Sequence, residues 1–475
     1  MSGIFGVMSN NNCISTLYYG TDYHAHMGTE YGGIAFIDEK GDPVKKIHNI
    51  SNSQFKSKFY KSYEKINTNA GIGVISDKDP QPLNFKSKFG NFALCCAGLI
   101  TNKKQLSEEL IKKNISFSEI YNGGINGTEL VAHLINQGDS IVDGIEKMYD
   151  KINGSVSLIL LTKEGMFAAR DRNGVTPLVI GEKENEIAVA SESSSFPNLG
   201  FKVRKFIASG EIVFIDKQGI NVRKEGDASN KICAFLLVYT GFPASSYEGV
   251  NAEVVRENCG RFLAKQDNTE VDIVSGVPDS GTAHAVGYAI ESGKPYRRAL
   301  LKYTPGYGRS YTPPSQELRD KIALMKLIAN ESITKDNRIA LCDDSIVRGT
   351  QLKNFTIAKL RDAGAKEVHA RIACPPLMFP CIYSLSTRTN KELAARKAIK
   401  AIEGRDIEDV SEYLDHNSEK YKKMVDWIAK DTDVTSLRYQ LLDDMVKAIG
   451  LPKEKLCLYC WTGKGVQKCL KSFGE

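Results

Sequence analysis

The sequence predicts a protein of mixed α+β and α/β class, with a sheet-rich amino-terminal half followed by a half built on a parallel sheet with crossover helices. Three observations predict it. The 475 residues exceed what one core ordinarily serves, at roughly 100 to 200 residues per domain. From Gly3 to about Phe214, short apolar runs bounded by Gly, Asn or charged turns dominate, the pattern of strands. After the charged, glycine-containing stretch Asp216 to Lys231, apolar strands alternate with helical segments, which is how a parallel sheet is wired. The division is placed at 225/226, giving units 1–225 and 226–475.

In the first unit the strands are read at Val156–Leu161, Met166–Ala169 and Glu186–Ala190. A helix follows Asn126-Gly127-Thr128, because Leu130, Val131, Leu134 and Ile135 recur at helical spacing, with Thr128 as its expected cap,. In the second unit the strands are Val271–Val274, Arg338–Cys342 and Glu367–Ile372. From about Thr387 to Gly450 the chain is charged and helical in composition, and a short tail from Lys453 holds three of the 11 cysteines.

Composition narrows the function. Hydrophobic residues are 42% and charged ones 25%, the balance of an ordinary folded protein. The longest apolar run, Ile232 to Tyr239, is far short of the roughly 18 to 20 residues that cross a bilayer, so no membrane span is expected. No basic and apolar leader follows Met1, and a reducing cytoplasm is the expected location. The net charge of +6 is spread along the chain without interleaved aromatics, which speaks against nucleic acid and leaves anionic small substrates open.

The most informative stretch runs from Arg338 through Ile-Ala-Leu-Cys-Asp-Asp-Ser-Ile-Val-Arg-Gly to Thr350. An apolar strand carries two acids to its carboxyl end, and a small-residue loop then opens into a helix with Leu352, Phe355, Ala358 and Leu360 and a stop at Gly364. Backbone N–H groups from Ser345 to Thr350 suit a phosphate, while Asp343 and Asp344 suit sugar hydroxyls or Mg²⁺. An Asp-Asp pair alone is common in polar turns. The strand before it and the glycine loop after it are what give it chemical meaning.

This stretch resembles the 5-phosphoribosyl-1-pyrophosphate (PRPP) loop of type I phosphoribosyltransferases, and in its Asp-Asp-Ser-Ile-Val-Arg-Gly-Thr form the amidophosphoribosyltransferase family of purine synthesis. Gly276-Val-Pro-Asp-Ser-Gly281 resembles that family's pyrophosphate-side loop, and Gly308-Arg-Ser310, Pro314 to Arg319 and Lys326 resemble its flexible loop. The resemblance spans essentially the whole chain. It implies an Ntn-hydrolase-like αββα glutaminase-type domain followed by a type I phosphoribosyltransferase domain. It also implies PRPP contacts from Asp343, Asp344, Ser345, Ile346, Val347, Arg348, Gly349, Thr350, Asp279 and Ser280, with Arg309, Arg319 and Lys326 toward the pyrophosphate and Mg²⁺ among Ser280, Asp343 and Asp344. Nucleotide inhibitors and a homo-oligomer, tetramer or dimer, are further implications. Tyr303 to Tyr307 departs from the family's shorter, more basic turn, which leaves the acceptor open.

Cys457-Leu-Tyr-Cys460 is a weak metal or redox signal by itself,. The resemblance adds that Cys233, Cys381, Cys457 and Cys460 stand where many family members hold a [4Fe-4S] cluster, whose irons favour thiolates. Cys13, Cys95, Cys96, Cys259, Cys342, Cys374 and Cys469 read as small hydrophobes.

The resemblance also implies an amino-terminal cysteine nucleophile, but here Ser2 takes that place. The arginine expected to hold glutamine falls near Ser76, after Gly71-Ile-Gly73, where the chain has none; the oxyanion-hole asparagine falls at Ala97 before Gly98, and the acid for the substrate amine at Gly127. Losing one oxyanion donor alone costs about 10² to 10³ in rate. Arg170-Asp-Arg-Asn-Gly174 and Ala190-Ser-Glu-Ser193 keep the scaffold pattern. The resulting expectation is an enzyme that makes 5-phosphoribosylamine and pyrophosphate from PRPP with ammonia, glutamine being a doubtful donor. Two alternatives remain: a non-catalytic PRPP- or nucleotide-binding paralogue or regulatory subunit, and phosphoribosyl transfer to another nucleophile.

Overall fold

The computed structural model describes residues 2–121, 123–227, 231–303, 325–350, 352–383 and 389–465. Its amino-terminal part contains two antiparallel sheets. In spatial order the first holds Lys202–Phe206, Val179–Lys183, Glu186–Ala190, Gly3–Ser9, Ala70–Ser76, Tyr31–Ile37 and Pro43–Asn49. The second holds Gly219–Lys224, Ile212–Asp216, Met166–Ala169, Gly154–Leu161, Gly90–Ile100 and Leu83–Ser87. Alternate side chains of the two sheets meet in one core, where Ile4, Ile72 and Val74 pack with Cys95, Ile159 and Val213, as the two-residue period of a strand requires.

Each sheet's outer face is covered by helices. Ile14–Asp22 and Phe55–Tyr63 pack on the first through Leu17, Tyr18, Phe55 and Phe59. Lys103–Lys112, Gly127–Ile135 and Ile141–Lys151 cover the second through Leu106, Leu134 and Met148. Helix, sheet, sheet and helix stack as the expected αββα sandwich. Asn126 rather than Thr128 caps the helix Gly127–Ile135, its side chain accepting from Thr128 N at 2.9 Å; an extended residue just before the helix can turn its oxygen onto the first free N–H groups, which a residue inside the helix cannot.

The other part carries a parallel sheet in the order Ile273–Gly276, Arg338–Asp343, Glu367–Ile372, Ser436–Tyr439. The last strand lies inside the charged stretch that the sequence reads as helical. Its four residues pair with His369 to Ile372, so the neighbouring strand decides its conformation, not its own composition. The helices Ala252–Lys265 and Thr282–Ser292 pack together beside this sheet. The apolar core here draws on residues from Ile232 to Trp461. Among the described residues no helix is long and apolar enough to cross a membrane.

Candidate functional site

Two strands deliver the acid pair and its neighbours to one sheet edge. Gly276 lies beside Cys342 in parallel register, so the turn after Gly276 and the loop after Cys342 emerge together. Val277 N donates to Cys342 O at 2.9 Å, and Ser280 Oγ donates to Asp343 Oδ1 at 3.3 Å. A Cβ on Gly281 would stand 2.3 Å from Cys342 O, so only glycine permits this approach. Asp279 forms an ion pair with Lys302.

Asp343 Oδ1 also accepts from Asp344 N at 2.9 Å, and Ser345 Oγ donates to Asp344 Oδ2 at 2.5 Å. Ile346 is buried, Val347 and Ser345 are half-buried, and Arg348 and Thr350 are exposed. Gly349 has φ 79°, the left-handed conformation in which glycine costs least. The loop is anchored from behind: Ala394 N donates to Val347 O at 2.7 Å, and Arg348 pairs with Glu392 at 3.1 Å. The helix after the loop opens with a wide π turn over Leu352–Ile357 before the α-helix Ala358–Asp362. Leu352, Thr356 and Ile357 are buried, and the π spacing brings these positions onto one face more closely than an α-helix does.

Burial and the adjacent Asp344 charge push the Asp343 carboxyl well above the ordinary carboxylate range. Burial also raises Asp344, against hydrogen bonds from Ser345 and Ser280 and the positive charge of Arg256. Two neighbouring acids, Asp344 buried and Asp343 half-buried, favour a cation between them. Mg²⁺ typically takes only one or two protein carboxylates and keeps waters or substrate phosphates. The donor set Ser280, Asp343 and Asp344 fits that habit.

Lys326 is half-buried at the foot of a hairpin whose strands, Leu300–Lys302 and Leu327–Ala329, pair antiparallel, with Tyr303 N donating to Lys326 O at 2.8 Å. Arg309 and Arg319 lie outside the described residues.

The four candidate cluster cysteines converge. Ile232–Cys233 pairs in parallel with Leu456–Cys457, setting Cys233 against Cys457. Cys381 packs with them beside Val175, Tyr383 and Tyr459, and Cys460 contacts Cys381. Burial pushes the Cys233 thiol up to about 12 and raises Cys457; Cys460 is raised first by its contact with Cys381 and then by burial. Among the described residues no three His, Cys, Asp or Glu side chains stand close enough to hold a metal ion. Thiolate is the ligand type that iron–sulfur clusters take, and the four thiols that converge here are of that chemistry. Of the other cysteines, Cys13, Cys95, Cys259, Cys342 and Cys374 are buried, Cys96 is half-buried, and Cys469 lies outside the described residues.

At the opposite end of the chain, Gly3 pairs with Ile75, which puts Ser2 beside Ser76; their hydroxyl oxygens are 3.4 Å apart. Near the position where a glutamine-binding arginine is expected, a serine therefore faces Ser2. Ala97 is buried opposite Ser157. Residue 127 carries no side chain, but Asp79 Oδ2 accepts from Gly127 N at 3.0 Å and lies 3.1 Å from where a Cβ on Gly127 would stand. A carboxylate from the preceding turn thus fills that space, tied to the helix start, and an acid borrowed across 48 residues leaves no local mark in sequence. Buried Arg256 was likewise missed, because one arginine on a helix carries no sign that it faces inward.

Curated relatives resolve the ancestry. An amidophosphoribosyltransferase of Methanocaldococcus jannaschii is 32% identical, over 98% of this chain and 97% of its own length. The chain belongs to the amidophosphoribosyltransferase family. A Bacillus subtilis amidophosphoribosyltransferase is 30% identical over 97% of this chain and 93% of its own. The solved glutamine PRPP amidotransferase of B. subtilis, complexed with ADP and GMP, superposes with a TM-score of 0.84 at 29% identity, covering 99% of this chain and 98% of that one. A structure described as the allosteric regulatory enzyme of purine biosynthesis gives 0.83 at 29% identity, with 98% and 96% covered. A glutamine amidotransferase domain family matches residues 68–198. The amidophosphoribosyltransferase fold, a glutaminase-type Ntn domain joined to a phosphoribosyltransferase domain, is thus present in full.

Proposed function

We propose that this chain, divided at 225/226, forms 5-phosphoribosylamine and pyrophosphate from PRPP, Mg²⁺ and ammonia, and that its own glutaminase half is inactive. The single observation that carries the reading is the acid pair at the end of Arg338–Asp343, bound to Ser280 across the adjoining turn. In this reading Asp343 and Asp344 orient the ribose and, with Ser280, would hold Mg²⁺, whose charge would offset that of the pyrophosphate oxygens. The loop Ser345 to Thr350 holds the 5-phosphate. Asp279, Arg309, Arg319 and Lys326 act on the pyrophosphate side. As C1 becomes cation-like, positioning and charge do the work, without a strong base.

Ser2, Ser76 and Ala97 argue against glutamine as donor. A hydroxyl is a poorer nucleophile than a thiol, the substrate carboxylate lacks a fixed cation, and the oxyanion loses a donor. Asp79 is already engaged with Gly127 N. Cys233, Cys381, Cys457 and Cys460 would hold a [4Fe-4S] cluster that ties the tail to the start of the second unit. Binding of inhibitory nucleotides, a cytoplasmic location and a homo-oligomeric state complete the reading. Calorimetry tests the site: PRPP binding requires Mg²⁺, and the double variant Asp343→Asn with Asp344→Asn loses it. Unchanged affinity would place PRPP elsewhere.

A further inference from the structure

We infer that Glu192, a residue of the amino-terminal half, is a positioning residue for the acid-pair site and acts on it through Arg256. This rests on the reading of the Asp343 loop as a PRPP site. Glu192 is fully buried, where a carboxylate survives only if its oxygens are satisfied. Its partners come largely from the other half of the chain. Tyr247 Oη donates at 2.6 Å, Ser245 Oγ at 3.1 Å and Phe242 N at 3.3 Å. On its own side, His26 Nε2 lies 2.9 Å away and Ser194 Oγ 3.5 Å. Burial opposes its charge, yet His26 and the Tyr247 hydroxyl outweigh that and hold the carboxyl down at about 2.

Two further contacts fasten the same segment. Ser193 Oγ accepts from Ser246 N at 2.8 Å, and fully buried Arg170 pairs with Glu248 at 2.5 Å. The clamped stretch Phe242 to Glu248 follows directly on the carbonyls that hold Arg256. Its Nη2 donates to Tyr239 O at 2.9 Å and Gly241 O at 2.6 Å, and its Nε donates to Leu237 O at 3.1 Å. From the neighbouring helix, His284 Nδ1 lies 2.9 Å from Arg256 O. The guanidinium lies within electrostatic reach of Asp344 and, separately, of Glu192. A buried cation in an arginine's fixed planar fork stays where its acceptors are placed. Glu192 fixes the stretch that sets those acceptors, and these hold Arg256 within electrostatic reach of Asp344. The sandwich, whatever its own catalytic state, completes the site on the parallel sheet.

A double-mutant cycle on the full-length enzyme tests this, with PRPP affinity in Mg²⁺ measured by calorimetry. Glu192→Gln, which keeps the size and leaves an acceptor, is expected to weaken PRPP binding about tenfold, the size of one charged hydrogen bond. Tyr247→Phe, a milder change that tests the same link if the first variant misfolds, is expected to weaken it about threefold. Because Glu192 acts through Arg256, the pair Glu192→Gln with Arg256→Lys should lie within about twofold of Arg256→Lys alone. Lower melting temperature with unchanged PRPP affinity, or losses that simply multiply, would overturn the inference. Amide exchange on the ligand-free enzyme gives a second reading that needs no PRPP. Glu192→Gln should speed exchange across 343–350 as well as 241–247; faster exchange confined to 241–247 would overturn it. Wild-type enzyme that bound no PRPP would refute the PRPP site, and the exchange result would still decide the role of Glu192.

Discussion

The loop after Asp343 and the pocket around Ser2 are both built at the ends of strands, and both keep their backbone framework. They differ in their charges. Around Asp343 stand a second acid, a serine across the turn, a lysine paired with Asp279 and an arginine within electrostatic reach of Asp344. Around Ser2 the side chains present are the uncharged Ser76 and Ala97, and the Asp79 carboxylate is engaged by Gly127 N at a helix start; in the proposed function these are read as lost glutamine-binding groups. On the proposed function, packing and catalysis are separable. The sandwich core needs only its alternating apolar residues, so a pocket can lose its chemistry without losing its fold.

The largest effect that would break this contrast lies in the acid pair. Asp343→Asn with Asp344→Asn is expected to abolish pyrophosphate release, by about 10³-fold or more, as removal of transition-state charge stabilisation does. Ser2→Ala in the other pocket should leave ammonia-dependent release unchanged. Activity that fell with Ser2 and survived the acid pair would invert the comparison.

The cysteines come next in size. Anaerobically purified enzyme should be brown, with about four irons per chain. Cys457→Ser should lower stability by several kcal/mol, because a group bound only by the folded state contributes its binding energy to folding. Protein that stays colourless and iron-free after reconstitution would leave the four thiols as packing residues.

A smaller effect carries a sign. The fold holds Asp343 above its unfolded value near 3.9,. Its contribution to stability is therefore whole below that value and is lost as the pH rises through the folded one. At pH 7.5, Asp343→Asn should make the ligand-free protein more stable by about 1 kcal/mol while removing the stabilisation by Mg²⁺ with PRPP. Thermal melts with and without ligand check both halves. A variant less stable than wild type in both would show that the carboxylate is structural.

How legible each part was follows from where its information lies. The acid-pair loop was readable because strand, acids and glycine sit in one contiguous stretch from Arg338 to Thr350. The strands Met166–Ala169, Glu186–Ala190 and Glu367–Ile372 were readable as short apolar runs. Ser436–Tyr439 was not, because a neighbouring strand makes it one. Asp79 beside Gly127 and Glu192 beside Tyr247 are contacts across 48 and 55 residues. Ordinary acids in their local sequence, they gain meaning only when the fold brings their partners to them.

The central claim, an intact transferase site joined to a worn glutaminase pocket, meets its most direct test in pyrophosphate release from PRPP with ammonia and glutamine supplied separately. The account predicts Mg²⁺-dependent release with ammonia and none above background with glutamine, for wild type with Met1 removed and for Ser2→Cys alike. Glutamine-driven release by the Ser2→Cys protein at about 1 s⁻¹ or more, an ordinary enzyme rate, would contradict it.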